Sequence, residues 1–123
     1  MRATVVVVTP DPNLRTIAEQ VIGAAGYRVL TASHTGHALL ACLKAGSVDV
    51  LAAELTMDDL SGPALADRLR RVCPEMTAVF FAEAGSREST GVLVRPFTGE
   101  DLLAAVATAR AAADAWQPIT STS

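Results

Sequence analysis

Residues 3–9, ATVVVVT, form a β-branched run with no polar alternation, the pattern of a strand buried on both faces. Similar short runs follow at 27–32 (YRVLTA), 48–53 (VDVLAA), 77–82 (TAVFFA) and 91–94 (GVLV). Between them the apolar spacing lengthens to a helical period. Leu14, Ile17, Ala18, Val21 and Ile22 make one stripe, entered through Asp11 as cap and Pro12 at the first helical position, and ended by Gly26. HTGHALLACLKAG predicts a second helix closed by Gly46. SGPALADRLRRV (61–72) predicts a third, with Ser61 or Gly62 as cap and Pro63 in the first turn. TGEDLLAAVATARAAADAW (98–116) predicts a long last helix, capped by Thr98 with Asp101 reaching back. Leu102, Val106, Ala109, Ala113 and Trp116 recur along it at spacings of four and three, and the Trp116 end is expected to outrun the sheet. The remainder, QPITSTS (117–123), reads as a disordered tail, leaving one domain over residues 1–116.

Strands alternating with helices predict a parallel sheet covered on both faces. Function in such sheets gathers at the carboxyl ends of the strands. That edge collects residues 9–11, Glu54, 82–84 and Arg95. Glu54 opens a loop, ELTMDDLSG, that also carries Asp58 and Asp59, which read as plain loop carboxylates.

Composition narrows the possibilities. The net charge is −3 with no basic run, which argues against nucleic acid and anionic membrane as partners. No apolar run reaches the ~18 residues of a membrane span, and the first residues carry no cleavage signal. A cytoplasmic domain is expected. Cys42 and Cys73 lie in apolar, helix-like segments and read as small buried hydrophobes. His34 and His37 are three apart but lack neighbouring ligands, so no metal site is expected. No phosphate-binding glycine loop follows the first strand, where TPDPNLR is blocked by proline, and no cofactor is expected.

Four stretches in this order, VVVVTPDP, ELTMDDLSG, FFAEAG and VRPF, resemble the receiver domain of two-component response regulators from about residue 3 to residue 112. The resemblance implies a doubly wound, flavodoxin-like α/β fold with five parallel strands in the order 2-1-3-4-5. It also implies a phospho-accepting Asp, a Mg²⁺ held by an acidic pair, a Thr or Ser after strand four and a Lys before Pro-Phe. This chain departs at each of those positions. Thr9 and Pro10 stand where the acidic pair belongs, and Asp11 comes one residue late. Glu54 replaces the acceptor, Ala82 the Thr or Ser, Arg95 the Lys, and Val92 an aromatic that often serves as a switch. The expectation is a pseudo-receiver without enzymatic activity, signalling by protein contacts independently of phosphorylation. Two alternatives are a receiver phosphorylated on an unusual acidic residue and a small doubly wound ligand-binding domain. For Glu54 two readings stay open: a carboxylate gripped by the fork of Arg95, worth less than ~1 kcal/mol if exposed, or a solvated strand end.

Only nine residues, 83–91, separate the fourth and fifth strand runs. A crossover containing a helix needs about a dozen. The fourth helix of the receiver pattern is therefore expected to be missing or greatly shortened, with strand five still parallel to strand four. The face left open by strand four, strand five and the last helix is expected to meet a protein partner or a second copy. Val79, Phe80, Phe81, Val92, Ala113 and Trp116 are its candidate residues.

Overall fold

The computed structural model describes residues 2–84 and 92–115, with side chains as far as residue 111. Five strands, β1 (Thr4–Val8), β2 (Arg28–Ala32), β3 (Val50–Glu54), β4 (Thr77–Ala82) and β5 (Val92–Val94), alternate with helices. The helices are α1 (Pro12–Ala24), α2 (Thr35–Ala45), α3 (Gly62–Arg70) and α4 (Gly99–Ala115). The strands form one sheet in the order β2-β1-β3-β4-β5, and every neighbouring pair is parallel. This is the doubly wound arrangement that the alternating pattern predicts.

The absence of polar alternation in the strands has a direct cause. Val5, Val7, Val50, Ala52 and Phe81 point to the layer filled by Leu14 and Ile22 of α1 and Leu102 and Val106 of α4. Val6, Val8, Leu51 and Ala53 point the other way, onto Ala38 and Cys42 of α2 and Leu65 and Leu69 of α3. With both faces of the central strands covered, a polar residue on either would be buried without a partner.

Helix starts follow local chemistry. Asp11 accepts from the Asn13 N–H at 2.9 Å, and Ser61 from the Ala64 N–H at 3.2 Å. The Thr98 hydroxyl accepts from the Asp101 N–H at 3.1 Å while the Asp101 carboxylate accepts from the Thr98 N–H at 2.9 Å, a reciprocal capping box. His34 caps α2, its Nδ1 accepting from the His37 N–H at 3.2 Å. Gly46, with φ of 83°, closes the same helix in a conformation that a side chain would strain.

β5 is parallel to β4, as expected, pairing Phe80 with Val92 and Ala82 with Val94. Among the described residues no helix lies between these strands. Most of the connection (85–91), Trp116, the Ala113 side chain and the tail 117–123 lie outside the described residues.

One expectation is corrected. Val79 and Phe81 are 4% and 1% exposed, because α4 packs on β4 and closes over them, so they belong to the core rather than to an open face. Phe80, on the opposite side of β4, is half-buried against the α3 layer.

Candidate functional site

The carboxyl edge of the sheet brings together residues from three strands. β1 and β3 are neighbours, with Val8 level with Ala53, so Thr9 and Glu54 follow side by side. The Thr9 hydroxyl donates to Glu54 Oε2 at 2.6 Å. Arg95 follows β5, two strands from β3, its N–H fixed by the Ala82 carbonyl at 2.8 Å. Two inter-strand spacings amount to ~9.6 Å. An Arg reaching over the end of β4 and a Glu one methylene longer than Asp close that gap.

They close it as a fork. Arg95 Nη1 donates to Glu54 Oε1 at 2.9 Å and Nη2 to Oε2 at 2.5 Å. Of the two readings left open for Glu54, the paired one holds. The pair is also not the exposed one whose value would be slight, since Glu54 is only 9% exposed. Glu54 raises the pKa of the Arg95 guanidinium, chiefly through these hydrogen bonds, against the opposing effect of burial. Glu83 stands 3.5 Å from Arg95 Nη1 with its side chain 82% exposed, and solvent screening leaves that contact weak. The guanidinium also lies 5.9 Å from the centre of the Phe97 ring, which stacks on Phe81 at 5.4 Å.

Thr9 is itself held from behind. Its hydroxyl accepts from the Asp11 N–H at 3.2 Å, and its carbonyl accepts from Arg15 Nη1 at 2.7 Å. Sequence reasoning treated Thr9 only as a lost acidic ligand and missed it as the donor that completes the Glu54 site. The signal was available in the adjacency of strands one and three, which sets the two residues level.

The donor set does not suit the Mg²⁺ that the resemblance implies. Mg²⁺ takes near-octahedral oxygens and in such sites is neutralised by carboxylates. Both Glu54 oxygens are engaged by Arg95, and one of them also by Thr9. Asp11 caps α1 through Oδ1, which accepts from the Asn13 N–H, and Pro10 offers no side-chain oxygen. The Arg95 guanidinium already neutralises the one well-placed carboxylate, Glu54. Among the described residues no three His, Cys, Asp or Glu side chains group as metal ligands.

The β3–α3 loop needs a second correction. Asp59 is not a plain loop carboxylate: its Oδ2 accepts from both the hydroxyl and the N–H of Thr35, tying the loop to the start of α2. The Thr35 hydroxyl holds the Asp59 carboxyl below its ordinary pKa. Asp58 is exposed.

Away from these residues, the first half of β4, β5 and α4 border a groove of about 720 Å³, whose lining includes Thr77, Val79, Val92, Leu93, Ala105 and Thr108. Val92, which the sequence places on a candidate partner-binding face, lines this groove.

The sequence matches the response regulator receiver domain over residues 5–107, and the chain belongs to that family. Solved structures agree on the fold. A response regulator receiver domain protein from Clostridium thermocellum superposes with a TM-score of 0.75 at 23% identity, covering 89% of this chain and 94% of that one. Chemotaxis protein CheY4 of Vibrio cholerae gives 0.77 at 23% identity, covering 89% and 99%. NtrX from Brucella abortus, solved in complex with ADP, gives 0.78 at 20% identity and covers 93% of this chain but 27% of that one. No curated protein matches the sequence. Membership of the receiver family supports a role in two-component signalling.

Proposed function

We propose that this receiver domain passes its signal without accepting a phosphoryl group, as a protein-binding module rather than an enzyme. The observation that carries this reading is the capture of Glu54. A carboxylate attacks phosphorus through a free oxygen lone pair, with a metal ion neutralising the charge that gathers on the equatorial oxygens. Here the carboxylate at the acceptor position is neutralised by Arg95, hydrogen-bonded on both oxygens and further held by Thr9. For Glu54 to attack phosphorus, the Arg95 fork and the Thr9 hydroxyl would first have to release an oxygen.

The receiver surface remains available for contacts. The groove between β5 and α4, with the small side chains of Ala104, Ala105 and Thr108, suits a protein partner or a second copy of the domain. The net charge of −3 disfavours nucleic acid. Among the described residues no helix is long and apolar enough to cross a membrane.

The test uses the purified domain with a small-molecule phosphodonor and Mg²⁺, followed by intact mass. The expected mass is unchanged. A stoichiometric gain of one phosphoryl group that is lost in Glu54→Gln would establish the alternative, a receiver phosphorylated on glutamate.

A further inference from the structure

Three of the four described helices begin on a side-chain oxygen, from Asp11, Ser61 or Thr98. These oxygens remain acceptors across the physiological pH range. α2 begins on a ring nitrogen instead. His34 has extended backbone, and its Nδ1 accepts from the His37 N–H at 3.2 Å. The ring folds back over the first turn, where a Cβ on Gly36 would stand 3.4 Å from Nδ1 and Cε1. An imidazole nitrogen accepts a hydrogen bond only while it carries no proton. The cap therefore requires the neutral ring, with its hydrogen on Nε2.

Protonation removes the acceptor and adds a charge in an unfavourable place. The cationic ring turns an N–H toward the N–H of His37, at the positive end of the helix dipole. The first turn of α2 has no acidic residue to offset that charge. A second imidazole, His37, lies 5.8 Å away between ring centres, and both residues are exposed. The remaining charges at this end of the sheet lie on neighbouring segments. The β3–α3 loop brings Asp58 and Asp59, and the β1–α1 turn brings Asp11, with Arg15 of α1 bonded to the Thr9 carbonyl. Glu54 is taken by Arg95. Of the elements packed on α2, β1 carries no charge and β2 carries Arg28 at its far end, while α3 carries Asp67, Arg68 and Arg70 in its second half. Lys44 belongs to the last turn of α2 itself. The three aspartates would attract a cationic ring, but exposed charges attract weakly in water. A ring that turns toward any of them has already left the His37 amide. In either position the cap is lost.

From this geometry we infer that the first turn of α2 is a pH-sensitive catch, closed while His34 is neutral and released when it takes up a proton. The catch reaches beyond its own turn. Thr35, the next residue, holds Asp59 and so ties α2 to the β3–α3 loop that follows Glu54. Imidazole is the side chain whose ordinary titration, near pH ~6.5, falls inside the physiological range. Asp59 stays ionised through that range, since Thr35 holds its carboxyl below the ordinary value. Mild acid thus loosens the turn while the tether to the loop keeps its charge. The catch operates whether or not Glu54 accepts a phosphoryl group.

The test measures amide–water exchange by NMR on the ¹⁵N-labelled domain at about pH 7.5 and about pH 5.5, on either side of the imidazole range. Each rate is divided by that of an unstructured peptide at the same pH, which removes the intrinsic pH dependence of exchange. Protection at the His37 N–H, and at the Ala38 N–H that bonds the His34 carbonyl, should fall about fivefold in acid, the scale of one lost cap. Amides of β1 and β3 should keep theirs. His34→Asn and His34→Ser each retain an oxygen acceptor and should abolish the fall while the thermal melt is kept. His37→Gln should still show it. Protection at these two amides that is equal at both pH values, that rises in acid, or that falls as much in the two His34 variants would overturn the inference. So would a fall that vanishes in His37→Gln or that spreads evenly over the sheet.

Discussion

Arg95 and Thr9 act on one carboxylate but are not equivalent. Replacing Arg95 by Met leaves Glu54 charged at 9% exposure with a single side-chain donor, and breaking such a pair costs roughly 2–4 kcal/mol, discounted because the guanidinium sits at the rim. Arg95→Lys keeps the charge but loses the fork, so a smaller cost of about 1–2 kcal/mol is expected. Thr9→Val removes one donor while the pair survives, at about 1 kcal/mol. Urea denaturation should rank the three in that order; a Thr9→Val loss equal to that of Arg95→Met would mean that the hydroxyl, not the ion pair, holds the site. The sequence placed Glu54, Arg95, Thr9 and Pro10 at one edge, because strand ends are readable from hydrophobic runs. It could not choose between a paired and a solvated Glu54, because that depends on whether Arg95 can span β4, a matter of register. Asp59 was misjudged for a related reason: its partner Thr35 lies 24 residues away at the start of α2, and no local spacing signals the contact.

The elements themselves were readable wherever their signals are local. Caps act within three residues, and Asp11, Ser61 and Thr98 all cap as their sequence context suggested. Gly62 reads in the sequence as a possible cap and as the last residue of the ELTMDDLSG stretch, and the structure adds a packing reason for it. A Cβ there would fall 2.4 Å from the Glu54 carbonyl oxygen and 2.7 Å from the Phe80 ring, so α3 starts tightly against β3 and β4. Gly62→Ala is expected to destabilise by about 1–3 kcal/mol, since backbone must move. Gly23→Ala, within α1 and with nothing inside 4 Å, should instead stabilise by about 0.5–1 kcal/mol. Thermal melts of the two variants check both signs. The tether between α2 and the β3–α3 loop carries a pH signature. Asp59 has a folded pKa below its unfolded value, so its contribution is complete above the ordinary carboxylate range and is lost as pH falls through the folded value. Thr35→Val should therefore lower stability at neutral pH, with the gap to wild type closing below about pH 4. A gap that persists in acid would assign the loss to packing.

Across the whole molecule, the layering explains what sequence alone misplaced. A hydrophobic β4 next to a short connection suggested an uncovered sheet, yet α4 lies over β4 and takes Val79 and Phe81 into the core. What a single sequence does not reveal is which helix covers which strand once a connection is shortened. The domain has the Glu54–Arg95 pair at one edge and a groove along β5 and α4. The clamp also matters to the mechanics of the sheet. β5 is an outermost strand of only three residues, paired with β4 alone. The Glu54–Arg95 bond leaps over β4 and anchors the chain just beyond β5 to the sheet's central strand. The Glu54–Arg95 bond thus serves as a rivet, holding down a strand of only three residues. Removing it with Arg95→Met should let β5 lift away as a local opening well below global unfolding. Amide hydrogen exchange would then quicken at residues 92–94 while β1 and β3 keep their protection, whereas uniform quickening would show that the bond supports the fold as a whole.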